Sequence, residues 1–396
     1  MTTALEGIRV LDMTQAMAGP FCAMILADMG AEVIKVEPPG RGEMTRKMGF
    51  AAQKGDDSAA FLAINRNKKS VTIDMKSEEG QRLYHELART ADVIVENFRP
   101  GVTERLGMDF ATIHAINPRL VYGSISGFGQ TGPHSSRAGF DLIAQGMAGV
   151  MSVTGEAGGE PVKSGVPLSD LAAGMYCAIG ILNALYVRER TGEGQHVDTS
   201  LFEAALSFGV WETAELWTTG RVPEPFGSAH RLSAPYQALR TQDGYVTVGA
   251  NNPRLWERLC EAIGRTELQE DPRFIDNDAR MTNRLVLQDE LERTLTQETT
   301  ATWVQRFEDA GFPAGPIYNY QQVFEDPHTI EREMLQEYEH PVAGTVKVLG
   351  IPVKLSATPG SIRLPAPLLG EHSAEVFAQL GLSEERLDAL REGGVI

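Results

Sequence analysis

Three cysteines in 396 residues, far apart at positions 22, 177 and 260, leave no disulfide framework and no zinc spacing. Each lies in an apolar helical pattern and reads as a buried free thiol of a reducing compartment, so a cytoplasmic protein is expected. Positive charge is also scarce: 36 Lys and Arg face 53 Asp and Glu, a net charge of −17. That balance argues against a broad hold on nucleic acid or an anionic membrane, and an anionic ligand would need a local basic pocket. The opening residues, Met-Thr-Thr-Ala-Leu-Glu-Gly, lack the basic and apolar regions of a signal peptide. The longest uncharged apolar run, residues 171–187, falls short of the about 20 residues of a membrane span and is expected to be a core helix. The eight histidines show no paired spacing with one another or with cysteine, so no metal site is expected. A Gly-x-Ser-x-Gly nucleophile elbow is missing as well.

What is present is an alternation of strands and helices. Residues 8–12 read as a strand, 20–29 as a helix ending at Gly30 and 32–36 as a second strand, a βαβ unit in about 30 residues. Strands over 70–73, 93–95 and 120–126, with helices over 78–89 and 109–116, extend this into an α/β, doubly wound parallel sheet. A strand at 195–198 and a helix over 200–217 precede a Gly- and Pro-rich shift at 218–234 that marks a linker. Beyond it, strands at 245–248 and 316–318 with helices between 254 and 307 form a smaller α/β segment. Strands near Val346 and Val353 and a helix over 373–380 are long enough to return to the first domain but too short for a core of their own. The expected organisation is a large domain over 1–200, a connection over 201–224, a small α/β domain over 225–330, and a return linker with the C-terminal part of the large domain over 331–396. All four Trp residues, at 211, 217, 256 and 303, are expected in the core or an interface.

Several groups could carry chemistry. Gly127-Phe-Gly-Gln-Thr-Gly132 matches the dinucleotide fingerprint literally, but the fingerprint needs a helix to start inside it, and Pro133 to Arg137 continues as loop. A glycine-rich turn that brings backbone close to a ligand is the better reading. His372 opens a helix and reads as a capping or packing residue. Arg41, Arg46, Arg66, Lys68, Lys69, Lys76, Arg99 and Arg105 cluster in the first third, near strand ends, where they suit a phosphorylated ligand or form a solvated surface. Pro167-Leu-Ser-Asp170 places one carboxylate at the start of the most apolar helix. Asp170 is then either a cap for the orphan N–H groups of the first turn or a nucleophile.

Leu5-Glu-Gly-Ile-Arg-Val-Leu-Asp12, Gly30-Ala-Glu-Val-Ile-Lys-Val-Glu-Pro38, Asn65-Arg-Asn-Lys-Lys-Ser70, Asp92-Val-Ile-Val-Glu-Asn-Phe-Arg-Pro-Gly101, Thr191-Gly-Glu-Gly-Gln-His-Val197 and Leu369-Gly-Glu-His372 together resemble the family III coenzyme A transferases. The resemblance implies a Rossmann-like large domain built from both chain ends, a smaller domain, and two ring-shaped subunits interlocked as a homodimer. It implies CoA and acyl-CoA as substrates and no prosthetic group. It also implies Asp170 as the nucleophile that passes through an aspartyl anhydride and an aspartyl-CoA thioester, chemistry that requires water to be kept out. Positions matching CoA contacts are Met17, Ala18, Ile73, Lys76, Asn97, Phe98, Val102, Arg105 and Arg137. Pro38 stands where formyl-CoA transferase has an arginine, with Arg41 as the substitute, and Ser126 stands where it has a lysine. The same fold hosts α-methylacyl-CoA racemases, which carry Ala-Gly-His-Asp where this chain has Ala138-Gly139-Phe140-Asp141, and phenylalanine cannot take a proton. A non-catalytic CoA-binding subunit is a further alternative. The region around Ala229-His-Arg231 and Gly249-Ala-Asn-Asn252 is similar to relatives using succinyl-CoA with dicarboxylates, and Arg46 or Arg231 would suit a distal carboxylate.

Overall fold

The structure, a computed structural model, describes residues 3–48, 55 and 57–396, so Met1 and Thr2 of the opening segment lie outside the described residues. Six parallel strands form the main sheet: β1 Arg9–Asp12, β2 Glu32–Glu37, β3 Lys68–Thr72, β4 Val93–Glu96, β5 Val121–Ser126 and β6 His196–Ser200. Their order is β3-β2-β1-β4-β5-β6, which reverses direction between β1 and β4 and opens a crevice at the carboxyl ends of those two strands. Alternation along each strand produces the two apolar layers. Val10, Val33, Val95 and Val121 enter one core with the helices Ala18–Asp28 and Leu168–Thr191. Leu11, Ile34, Ile94 and Tyr122 enter the other with the helices Glu78–Thr90 and Phe110–Ile116. All three cysteines are buried and free, and Cys22 and Cys177 lie in the same core between the two helices.

The chain groups into two units, one of residues 1–150, 163–213 and 327–396, the other of residues 151–162 and 214–326. The expected boundaries differ from these at 151–162, at 201–224 and at 327–330. In the first unit the C-terminus returns to β3, an edge strand with N–H groups to satisfy. His372 Nδ1 accepts from Ser70 N at 3.2 Å and Ser373 Oγ accepts from Thr72 N at 3.3 Å. His372 is thus part of an edge seal. The second unit holds an antiparallel sheet of β7 Tyr236–Arg240, β8 Tyr245–Gly249 and β9 Ala314–Pro316, covered by the helices Pro253–Ala262, Arg284–Leu295 and Thr300–Asp309 around a core containing Trp256, Trp303 and Phe307.

Three expectations change. The helix read as 171–187 runs from Leu168 to Thr191, because Arg188 is buried against Asp92, with Nη1 to Oδ1 at 2.9 Å, and does not stop it. At 24 residues it is long and apolar enough to cross a membrane, yet half of its most apolar window is buried against the protein. The helix read as 200–217 is two, Leu201–Leu206 and Val210–Thr219, separated at Gly209. No strand forms near Val353; instead β10 Leu335–His340 pairs antiparallel with β11 Gly344–Leu349. Trp256 and Trp303 lie in the core as expected, and Trp211 and Trp217 are exposed on the single chain, where an interface remains their expected place.

Candidate active site

A helix that carries the chain back to the start of β6 has to begin at the carboxyl end of the sheet, beside the β1/β4 crevice. Leu168–Thr191 does so, and Asp170 sits in its first turn. The cap reading fails: the N-cap is Pro167, no side chain caps the helix, and the Asp170 carboxylate makes no hydrogen bond or ion pair with the described residues. The carboxylate instead faces a cavity of about 410 Å³ whose walls come from the loops after β1, β4 and β5. Burial, together with the neighbouring Asp141 carboxylate, raises its pKa to about 7. Amides at the start of a helix favour an ionised acid, but here desolvation and like charge outweigh them.

Asp141, at the start of the helix Asp141–Met147, is the second acid of this cavity. Its Oδ1 accepts from Ser169 N at 2.9 Å and its Oδ2 from Gln145 Nε2 at 2.8 Å. Gln145 in turn accepts from Ser164 N at 2.9 Å. The start of the long helix is therefore held by a carboxylate from a different segment, and Asp170 is left unpartnered next to it.

Of the residues matched by resemblance, Met17, Ala18, Asn97, Phe98, Val102 and Arg137 line this cavity with Asp170. Arg41, Ile73 and Lys76 line a second one, of about 220 Å³, which shares Gln15 and Phe98 with the first. Arg105 is exposed on the short helix Val102–Arg105 and lines neither. Asn97 spends its amide on the main chain of Gln15: Oδ1 accepts from Gln15 N at 2.9 Å and Nδ2 donates to Gln15 O at 2.7 Å. Ala16, at φ 64°, adopts the left-handed backbone that a non-glycine residue rarely takes, and Glu43 Oε2 accepts from its N–H at 3.1 Å. Lys35 Nζ fixes Thr14 O at 2.9 Å from below. Gln15, Glu43 and Asp141 had no local signal, since each acts through a segment distant in sequence.

The basic cluster separates into two halves. Lys68 is fully buried and pairs with Asp12 at 2.9 Å; Arg66 pairs with Asp28 at 2.7 Å; Lys69 bridges Glu32 and Glu375. Arg46 pairs with Glu37 at 2.7 Å and Asp57 at 2.9 Å, so its guanidinium is not available for a substrate carboxylate. Arg231, the other candidate, is held by Glu215 at 3.4 Å and by the Glu224 carbonyl. Burial alone would raise the Asp12 pKa, yet Lys35 and Lys68 hold it well below the usual aspartate range. Arg41, Lys76, Arg99 and Arg105 have no carboxylate partner among the described residues, and three of these four line a cavity. The structure thus sorts cations that brace the fold from cations left without a carboxylate partner among the described residues.

Gly127-Phe-Gly-Gln-Thr-Gly132 is loop, and the next helix begins at Asp141. Its glycine requirement is steric: a Cβ on Gly127 would stand 2.5 Å from the Cα of Gly139, so the two backbones touch at the cavity wall. Among the described residues no three His, Cys, Asp or Glu side chains converge as a metal site requires.

This geometry has close counterparts. The sequence profile of CoA-transferase family III matches residues 5–373. Succinyl-CoA:glutarate CoA-transferase of Homo sapiens is 37% identical over 99% of this chain and 90% of its own length. Acetyl-CoA:oxalate CoA-transferase of Acetobacter aceti is 39% identical over 96% of this chain and 97% of its own. The crystal structure of a CAIB/BAIF family protein from Brucella suis superposes with a TM-score of 0.86 at 38% identity, covering 96% of this chain and 100% of that one. The chain belongs to CoA-transferase family III and is an enzyme of that family.

Proposed function

We propose that the protein moves CoA from a short acyl-CoA donor, succinyl-CoA or a similar ester, to a small mono- or dicarboxylate acceptor, with Asp170 as the nucleophile. The observation that carries this is the unpartnered Asp170 carboxylate in a cavity bordered by cations that no acid among the described residues neutralises. An Asp170 oxygen attacks the thioester carbonyl, the C–S bond breaks, and CoA thiolate leaves a mixed anhydride. The thiolate attacks the Asp170 carbonyl carbon, releasing the donor carboxylate and forming aspartyl-CoA. The acceptor carboxylate attacks that thioester, and the thiolate then attacks the acceptor acyl carbon to give the new acyl-CoA and regenerate Asp170. Every bond broken is replaced by one of similar energy, so the enzyme's task is positioning and exclusion of water. The second cavity, with Arg41 and Lys76, suits the phosphates, and Gln15 and Phe98 border the passage to Asp170.

Two relatives, one named for succinyl-CoA and glutarate and one for acetyl-CoA and oxalate, support a carboxylate acceptor without choosing among acids. A screen of acceptors against succinyl-CoA, acetyl-CoA and formyl-CoA, with mass spectrometry of the trapped enzyme, tests the reading. Acyl or CoA adducts on Asp170 are expected; transfer that survives in Asp170→Ala would overturn it.

The functional form is a homodimer. Met175, Ile179, Leu182 and Tyr186, spaced along one face of the long helix, are exposed together with Leu206, Phe208 and Val210. Such an apolar face on the first unit is what a second copy would cover. The three buried free thiols suit a cytoplasmic location.

A further inference from the structure

Glu96 ends β4 and is buried, yet no lysine or arginine pairs with it among the described residues. Its Oε2 accepts from Phe98 N at 2.8 Å. Ser124, its cross-strand partner on β5, favours the ionised form of the same carboxylate. Ser124 Oγ lies 2.9 Å from His196 Nε2 of β6, and the His196 ring stacks on Phe110. The carboxylate therefore closes a two-residue loop that sets Phe98, and Phe98 is a wall of both cavities.

The geometry points to Glu96 as a positioning residue that holds Phe98 in the binding-competent place when its carboxylate is ionised and loosens it when protonated, so that affinity for CoA follows its charge. A carboxylate accepts the Phe98 amide more strongly than a carboxylic acid does, because charge-assisted bonds are about twice as strong as neutral ones. The groups that face Glu96 bear this out as a titrating site. They are Tyr84 from the helix Glu78–Thr90, Glu104 from the helix Val102–Arg105, Tyr122 and Ser124 from β5, and Asp198 with the Ser124-linked His196 from β6. None of them is a permanent cation. Burial first, then Glu104 and Asp198, push its pKa up to about 7 against the Ser124 hydroxyl and the bond from Phe98. The Tyr84 hydroxyl, buried without a hydrogen-bond partner, adds no countercharge.

This inference rests on the CoA-transferase reading, and its test involves no group transfer. Equilibrium binding of free CoA is measured by calorimetry between about pH 6 and about pH 8 for the wild type and Glu96→Gln. The glutamine retains an oxygen for the Phe98 amide and cannot ionise. Dividing the wild-type Kd by the variant Kd at each pH removes titration of CoA itself. The ratio is expected to fall about fivefold from the acid to the basic end. Ser124→Ala removes a hydroxyl that favours the ionised carboxylate, so its binding transition should move to higher pH; it serves equally if Glu96→Gln does not fold. The same pH slope in wild type and Glu96→Gln, or an unmoved transition in Ser124→Ala, would overturn the inference and leave the transferase reading standing. No CoA binding by the wild type at any pH would overturn both.

Discussion

Asp141 Oδ1 receives the amide of Ser169, the residue before Asp170, at 2.9 Å. One hydrogen bond therefore joins two jobs: it anchors the turn that presents Asp170, and it sets a second negative charge beside it. A more basic carboxylate is the better nucleophile once ionised, and the cost is that ionisation begins near neutrality.

Asp141→Asn keeps an oxygen for Ser169 and removes the charge. The acid limb of kcat/KM for acyl-CoA in the wild type should fall about tenfold per pH unit below about 7. In the variant that limb should move about one unit lower. A pH–rate profile with succinyl-CoA checks this, and an unmoved limb would mean that Asp141 does not tune the nucleophile.

Asp170 also carries a stability signature. Its folded pKa lies above its unfolded value, so the protonated form favours the fold, and that stability is lost as pH rises from about 4 through about 7. Asp170→Asn cannot ionise. Its thermal midpoint should match the wild type near pH 4, exceed it increasingly up to about pH 7 and then hold a constant difference. Transfer activity should drop at least about 1,000-fold at every pH.

The division of the cation cluster gives opposite outcomes for neighbouring residues. Arg41→Ala or Lys76→Ala should raise KM for acyl-CoA about tenfold with little change in the urea midpoint. Lys68→Ala leaves the buried Asp12 without its 2.9 Å partner and should cost roughly 3 kcal/mol of stability. Steady-state kinetics beside denaturant titrations separate the two.

Ile179→Glu puts a charge in the exposed apolar face of the long helix. If a second copy covers that face, light scattering should show a monomer where the wild type is a dimer. A wild type that is monomeric at micromolar concentration would exclude the dimer.

Much of the first unit follows from pattern alone, because strand alternation and helix spacing are local properties of the chain. The βαβ start, the parallel sheet, the buried thiols and the loop character of residues 127–137 are of this kind. The sequence also singled out Asp170, since an acid at the head of an apolar helix is visible in one dimension. It could not say whether that acid was a cap. That depended on where Asp141, 29 positions away, placed its own carboxylate. Nor could composition tell Lys68 from Lys76, because pairing with Asp12 is settled by the strand order β3-β2-β1, which lets the Lys68 side chain reach across β2. Charge, partner and solvent at a site are sums over segments that only the fold brings together, whereas the residues' periodicity is carried by neighbours in the chain.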